Sequence, residues 1–267
     1  MTYRDGRRVG TASGFFYRNG DNLFLVTNKH VFANREQPDT ARIRLHTDPK
    51  NLGQNADVRL PLCSSAAPAW RTPKEVADVD VAAFPLEADF RTKYVINPIS
   101  RESLPPSDVR LQAGQDVLVL GYPLGWADEH NNLPIVRRGI LASAYGTPFG
   151  GKPVCLIDAR LHRGTSGSAV ITKPTSSVHM ANGTTKIIGD GAFWCLLGVL
   201  SAALKPRDEA EIAEVADSGP LDLNLCWYSQ IVEELTSSPK RSVNRRSSHG
   251  SKECGTAAPG CDRASEA

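Results

Sequence analysis

No stretch of the chain approaches the roughly 18 uninterrupted apolar residues that a membrane-spanning helix needs, so no such span is expected among its 267 residues. A dominant charge is missing as well. Lys plus Arg number 31 against 29 Asp plus Glu, a formal net charge of +2. That near-balance argues against a general nucleic-acid binder, which carries a strong basic excess. The N-terminus, MTYRDGRRVGTASGFF, holds charge but no apolar block followed by a small-residue cleavage site, so no secretory signal is expected. Cysteine is sparse. The six, at positions 63, 155, 195, 226, 254 and 261, are too few for a disulfide scaffold and match no common zinc spacing. Cys155, Cys195 and Cys226 fall in apolar runs and read as small buried hydrophobes. Reduced thiols in a cytoplasmic protein are the expectation. No repeat of solenoid length is present.

What the chain does have is ordinary globular material, 40% hydrophobic and 22% charged, enough to bury a core. Short strand-like runs dominate: ASGFFY (12–17), NLFLVT (22–27), ARIRLH (41–46), DVRLPL (57–62) and DVAAFPL (80–86). NGDN at 19–22 is a hairpin signal. The Pro- and Ser-rich NPISRESLPPSD (97–108) reads as a connector. Strands resume with DVLVLGY (116–122), IVRRGILASAYG (135–146), PVCLIDARL (153–161), SAVI (168–171) and WCLLGVLSA (194–202). Helical spacing is confined to one turn after Thr27, to 207–218 and to 228–235. The pattern predicts an all-β chain of two antiparallel six-stranded-type barrels with a short C-terminal helix. The N-terminal barrel is expected over about 8–100 and the C-terminal one over about 109–236. Residues 237–267 hold six Lys or Arg, three Asp or Glu and almost no apolar side chains, which predicts a disordered basic tail. Docking of a partner through that tail is the alternative reading.

The strongest chemical string is Gly164-Thr165-Ser166-Gly167-Ser168, set between two strands. Acyl transfer needs a hydroxyl on a tight turn, where glycines permit close approach and neighbouring N–H groups meet the developing oxyanion. Such a turn is an ordinary loop unless a base and an orienting acid accompany it. His30 ends the strand-like LFLVTNK, and Asp80 opens DVAAF, where a carboxylate at the mouth of an apolar run invites a hydrogen-bonded partner. Asp78 is the rival acid, though it precedes another charge rather than an apolar run. His46, His130, His179 and His249 read as surface or core histidines without a catalytic part.

The separations are 50 residues from His30 to Asp80 and 86 from Asp80 to Ser166. With GTASGFF, LVTNKHV, DVAAF, GYPLG, VRRGILAS, IDARLHRGTSGSAV, GVLSA and LDLNLCWYSQIVEEL, residues 10–236 resemble the trypsin-like, chymotrypsin-fold serine peptidases, specifically their HtrA-type bacterial branch. The resemblance implies a serine endopeptidase acting on polypeptides through an acyl-enzyme, with neither metal nor organic cofactor. It implies that Ser166 is the nucleophile, that His30 is the general base and then acid, and that Asp80 fixes the imidazole tautomer. It further implies an oxyanion hole from the N–H groups of Gly164 and Ser166, and a substrate-pairing strand lined by Leu200, Ser201 and Ala202. Arg160 falls where this fold often places the floor of the primary pocket. A cation there would attract acidic side chains, and simple pairing with a carboxylate such as Asp158 is the competing reading.

The sequence departs from that pattern in several places. Because residues 237–267 read as a polar tail, the PDZ module that usually follows an HtrA peptidase is not expected. Ser168 and Ala169 stand where glycine and proline are common. Thr165, before the nucleophile, offers no charge to a freshly cut amino terminus, so activation by trimming is not expected. A catalytically silent, peptide-binding module is the rival from another class, and a complete His, Asp and Ser set disfavours it.

Overall fold

The computed structural model describes residues 1–64, 67–73, 78–189, 191–204 and 221–237. The helix expected over 207–218 and all of the tail after Ser237 lie outside them. In the N-terminal half, strands β1 (Thr2–Arg4), β2 (Arg7–Gly10), β3 (Phe15–Asn19) and β4 (Asn22–Thr27) precede one helical turn, α1 (Lys29–Phe32). Then come β5 (Thr40–His46), β6 (Asn55–Pro61), β7 (Cys63–Ser64), β8 (Ala67–Pro68), β9 (Ala82–Pro85), the turn α2 (Phe90–Lys93) and β10 (Ile99–Ser100). The C-terminal half holds β11 (Asp116–Gly121), β12 (Ile135–Leu141), β13 (Val154–Asp158), β14 (Ala169–Thr172), β15 (Ser177–His179), β16 (Thr185–Ile187), β17 (Leu196–Ala203) and β18 (Leu223–Tyr228). Helix α3 (Ser229–Ser237) ends the described chain and takes in Ser237, which the sequence had assigned to the tail.

The all-β class and the short C-terminal helix stand, and the C-terminal half closes into a six-stranded barrel in the order β11-β12-β13-β18-β17-β14. The N-terminal half differs from the second closed barrel the sequence predicts. It forms two four-stranded sheets, β2-β1-β5-β6 and β10-β3-β4-β9, around one core. Closure depends on pairing between the edges of distant strands, and among the described residues one edge of each sheet is taken by a short addition while β6 and β9 form the other two edges. β1 and β2 pair with each other and with β5, while β10 joins β3 in parallel.

The apolar runs follow from where each strand lies. β11 alternates between half-buried and buried positions, as a strand with one inward face should. β4 reads as a nearly continuous run because it is buried on both faces. Leu23 and Leu25 enter the N-terminal core, whereas Phe24 and Val26 enter a second core between the two halves. β14 and β17 split in the same way, sending Val170, Leu197 and Leu200 into the barrel and Ile171, Leu196 and Val199 between the halves. Helix α3 seals that middle core with Ile231, Val232 and Leu235, and Glu233 accepts a 2.6 Å hydrogen bond from the Tyr17 hydroxyl. The two halves therefore share one middle core.

Candidate active site

β4 ends at Thr27, and Asn28 turns the chain into α1. Asn28 occupies the N-cap position, yet its side chain makes no capping bond. Its amide instead donates to the main-chain carbonyl of Asp80, at 2.7 Å. His30, two residues on, meets the same aspartate twice. Its Nδ1 lies 2.7 Å from Asp80 Oδ2, and its main-chain N–H donates to Asp80 Oδ1 at 2.9 Å. The Ser201 hydroxyl on β17 donates to Asp80 Oδ2 at 2.7 Å. The rival Asp78 points elsewhere, exposed and 3.4 Å from Lys152 Nζ.

Burial pushes the Asp80 carboxyl up, but the hydrogen bond and charge of His30, with the Ser201 hydroxyl, outweigh it and hold the group below its ordinary range. A carboxylate depressed in the folded state stabilises the fold above the unfolded value of about 3.9. That contribution fades as pH falls through the lower folded value. Urea midpoints measured from pH 6 to pH 2 should fall more steeply for wild type than for Asp80→Asn. Parallel curves would show that Asp80 carries no such linkage.

Ser166 sits on the loop between β13 and β14, which is tied to the N-terminal half through Ser13. The Ser13 N–H donates to Ser166 O at 2.9 Å, and Ser13 O accepts from Thr27 Oγ1 at 2.7 Å. The Ser13 hydroxyl donates to Gly164 O at 2.7 Å and accepts from the Tyr122 N–H at 2.8 Å. On the other side, the Gly167 N–H donates to Leu200 O and the Leu200 N–H to Ser168 O, each at 2.9 Å. The loop carrying Ser166 is thus wedged between the strand leading to His30 and the strand whose next residue holds Asp80. Ser166 itself makes no hydrogen bond to the His30 ring among the described residues.

The Arg163 carbonyl accepts from the Leu124 N–H at 2.6 Å, inside the 3-10 turn Pro123–Gly125. A planar trans peptide then points the Gly164 N–H the opposite way. Gly164 has φ +92°, and a Cβ there would lie 2.8 Å from both Leu124 N and Tyr122 O, so only glycine fits. Neither the Gly164 nor the Ser166 N–H has a protein acceptor among the described residues. The Thr165 hydroxyl is occupied by the His162 carbonyl, at 2.7 Å.

The substrate-side expectations need correction in detail. The Leu200 side chain is wholly buried in the barrel and its main chain is bound to the Ser166 loop, so it holds that loop rather than lining a cleft. Ser201 turns its hydroxyl to Asp80 rather than outward. The β17–β18 register shifts between Leu200 and Ala203, which leaves the main chain of Ser201 and Ala202 between ladder pairs. Arg160 is exposed, has no ion pair with Asp158, and contributes its carbonyl, which accepts from Arg137 Nη2 at 2.6 Å. Ser13 and Asn28 carry side-chain roles that the sequence reading missed. An asparagine directly after a buried strand was a signal of sorts, though it pointed to a helix cap. No group of three or more His, Cys, Asp or Glu side chains among the described residues could hold a metal ion.

The family model of the trypsin-like peptidase domain matches residues 12–178, more than half of the chain, a range that includes His30, Asp80 and Ser166. The chain belongs to that family. No curated protein matches this trypsin-like peptidase domain. Among solved structures it is similar to the HtrA-type protease AlgW with a tripeptide, at 14% identity and TM-score 0.46, covering 84% of this chain and 58% of that one. It is also similar to a serine-to-alanine mutant of Rv3671c from M. tuberculosis H37Rv in its inactive form. That likeness has 16% identity and TM-score 0.41, covering 84% of this chain and 79% of the other. The peptidase domain thus spans under two thirds of the AlgW chain it matches.

Proposed function

We propose that the chain is a serine endopeptidase in which Ser166, His30 and Asp80 form the catalytic triad. The observation that carries the reading is the imidazole of His30 held at Nδ1 by the Asp80 carboxylate, with Ser166 on a doubly anchored loop that Ser13 and Thr27 tie to the strand leading to His30. With its proton fixed on Nδ1, the ring presents Nε2 as a base. Nε2 takes the Ser166 proton as Oγ attacks the scissile carbonyl, and the N–H groups of Gly164 and Ser166 receive the oxyanion. His30 then protonates the leaving amine, and water releases the acyl group by the same steps in reverse order. The missing contact between Ser166 and the ring fits a catalytic hydrogen bond that shortens only once substrate is bound. The extended substrate would pair with the main chain at Ser201 and Ala202. The HtrA-type assignment rests on the sequence motifs, and a cytoplasmic setting on the buried free thiols of Cys155, Cys195 and Cys226.

An active-site-directed fluorophosphonate tests this reading. Peptide mass spectrometry should find one adduct, on Ser166, and the Ser166→Ala protein should remain unlabelled and inactive. Peptide binding with neither label nor turnover would make the chain a binding module instead.

A further inference from the structure

The rim of the barrel that carries Ser166 can be followed strand by strand. Leu120 and Gly121 end β11, Ile135 begins β12, Asp158 ends β13, and Ala169 begins β14 three residues after Ser166. All these ends point to one side of the barrel because the strands run antiparallel; Asp158 itself pairs with Ile140, and the chain just beyond it runs on towards the start of β12. Within it, Arg137 lies directly opposite Val119, and Val119 lies opposite Val170. Both valines belong to the barrel's interior cluster. Directly paired residues project from the same face of a sheet, so the Arg137 side chain projects inward. Its neighbour Arg138 projects outward and is bound to the Asp116 carboxylate, with contacts of 2.8 and 3.0 Å. Arg137 has no such partner. Its one hydrogen bond among the described residues is the 2.6 Å bond to Arg160 O, just past the end of β13, which puts the guanidinium at the rim. The interior cluster includes Ala159, Leu200 and Val119, small or aliphatic groups that carry no charge.

A guanidinium has five donors, and at this solvent-reachable rim one of them is engaged by protein. The remaining donors are open to an incoming group, and a carboxylate engages two at once in a fork-to-fork pair. Building on the serine-endopeptidase reading, we propose that Arg137 is the cation of the primary specificity pocket and that the enzyme cuts after glutamate or aspartate. Asp158 lies on the outer face, and Arg160 adds its positive charge outside the pocket. This assigns to Arg137 the role that position in the chain had suggested for Arg160.

The experiment separates binding from chemistry. Ser166→Ala protein is titrated with N-acetyl tetrapeptides that differ only in a last residue of Glu, Gln, Leu or Lys, so the shared terminal carboxylate cancels. The Glu peptide should bind at least about 10-fold tighter than its neutral Gln isostere. The gap should vanish on adding Arg137→Gln and persist with Arg138→Gln. Wild-type kcat/KM should favour Glu over Leu before the cut by roughly 100-fold. Equal binding of the Glu and Gln peptides would overturn the proposal, and that comparison needs no Arg137 variant to fold. So would a gap that survives Arg137→Gln. Selective binding without any cleavage would instead sink the endopeptidase reading and leave the acidic pocket standing.

Discussion

Asp80→Asn folds, and turns over a peptide substrate about 10,000-fold more slowly than wild type. The reason lies in how many donors the carboxylate already serves. Oδ1 accepts the His30 main-chain N–H, and Oδ2 accepts both the His30 ring and the Ser201 hydroxyl. An asparagine has one oxygen. If that oxygen keeps the main-chain N–H, the amide NH2 faces Nδ1, which must then become the acceptor. The ring proton moves to Nε2, and the nitrogen that should receive the Ser166 proton is already occupied. If the amide is turned the other way, its NH2 opposes the His30 N–H, a donor against a donor, which is the less favourable choice. The Ser201 hydroxyl can rotate to suit either. The expected signature is a fall in kcat with little change in KM, and a nitrogen-15 spectrum showing the His30 proton moved to Nε2. Asp78→Asn, which alters only an exposed ion pair to Lys152, should stay within about twofold of wild type. A loss of less than tenfold in folded Asp80→Asn would remove Asp80 from the triad.

Such an arrangement was partly legible in the sequence because each of the three residues stands at the end of an apolar run. Strand ends are where a β-barrel presents side chains to its rim, so NLFLVT before His30 and AVI after Ser166 already placed both at an edge. The fold class was legible for the same reason: period-2 alternation in DVLVLG and a continuous run in NLFLVT mark strands with one and two buried faces. Closure was not. Which edges pair is decided by contacts distant in sequence, and the short strands β1, β2 and β10 were too brief to register. Ser13 and Asn28 were hidden by their chemistry. Both act on main-chain groups, Ser13 on Gly164 O and the Tyr122 N–H, Asn28 on Asp80 O, and a main-chain partner leaves no trace in residue type. Arg137 was legible in principle. In IVRRGIL it shares parity with Ile135 and Gly139, and a charge at an inward position of a strand is the informative exception.

Gly167→Ala is expected to cost far more than an ordinary glycine substitution, and the comparison with Gly20→Ala shows why. Both glycines have positive φ, +56° at Gly20 and +86° at Gly167. An alanine in that region costs about 1–2 kcal/mol at either place. Gly20, in the β3–β4 hairpin, has nothing within 4 Å of where an alanine Cβ would stand, so that is its whole effect. At Gly167 the Cβ would lie 2.2 Å from Ser13 O and 2.2 Å from Thr27 Oγ1. Neither atom can yield cheaply. Ser13 O is main chain and accepts the Thr27 hydroxyl, while the Ser13 N–H and hydroxyl hold Ser166 O and Gly164 O. Moving Ser13 aside therefore loosens Ser166 and the Gly164 turn together. The predicted total is about 3–4 kcal/mol, a fall of roughly 10 °C in Tm against roughly a third of that for Gly20→Ala. The activity of folded Gly167→Ala should drop by at least about 100-fold, because a displacement near 1 Å suffices to misplace a nucleophile. Calorimetry of the two variants side by side decides the matter. Equal Tm values would mean that the loop carrying Ser166 is not held against Ser13, and the link between the N-terminal sheets and the nucleophile would fall with it.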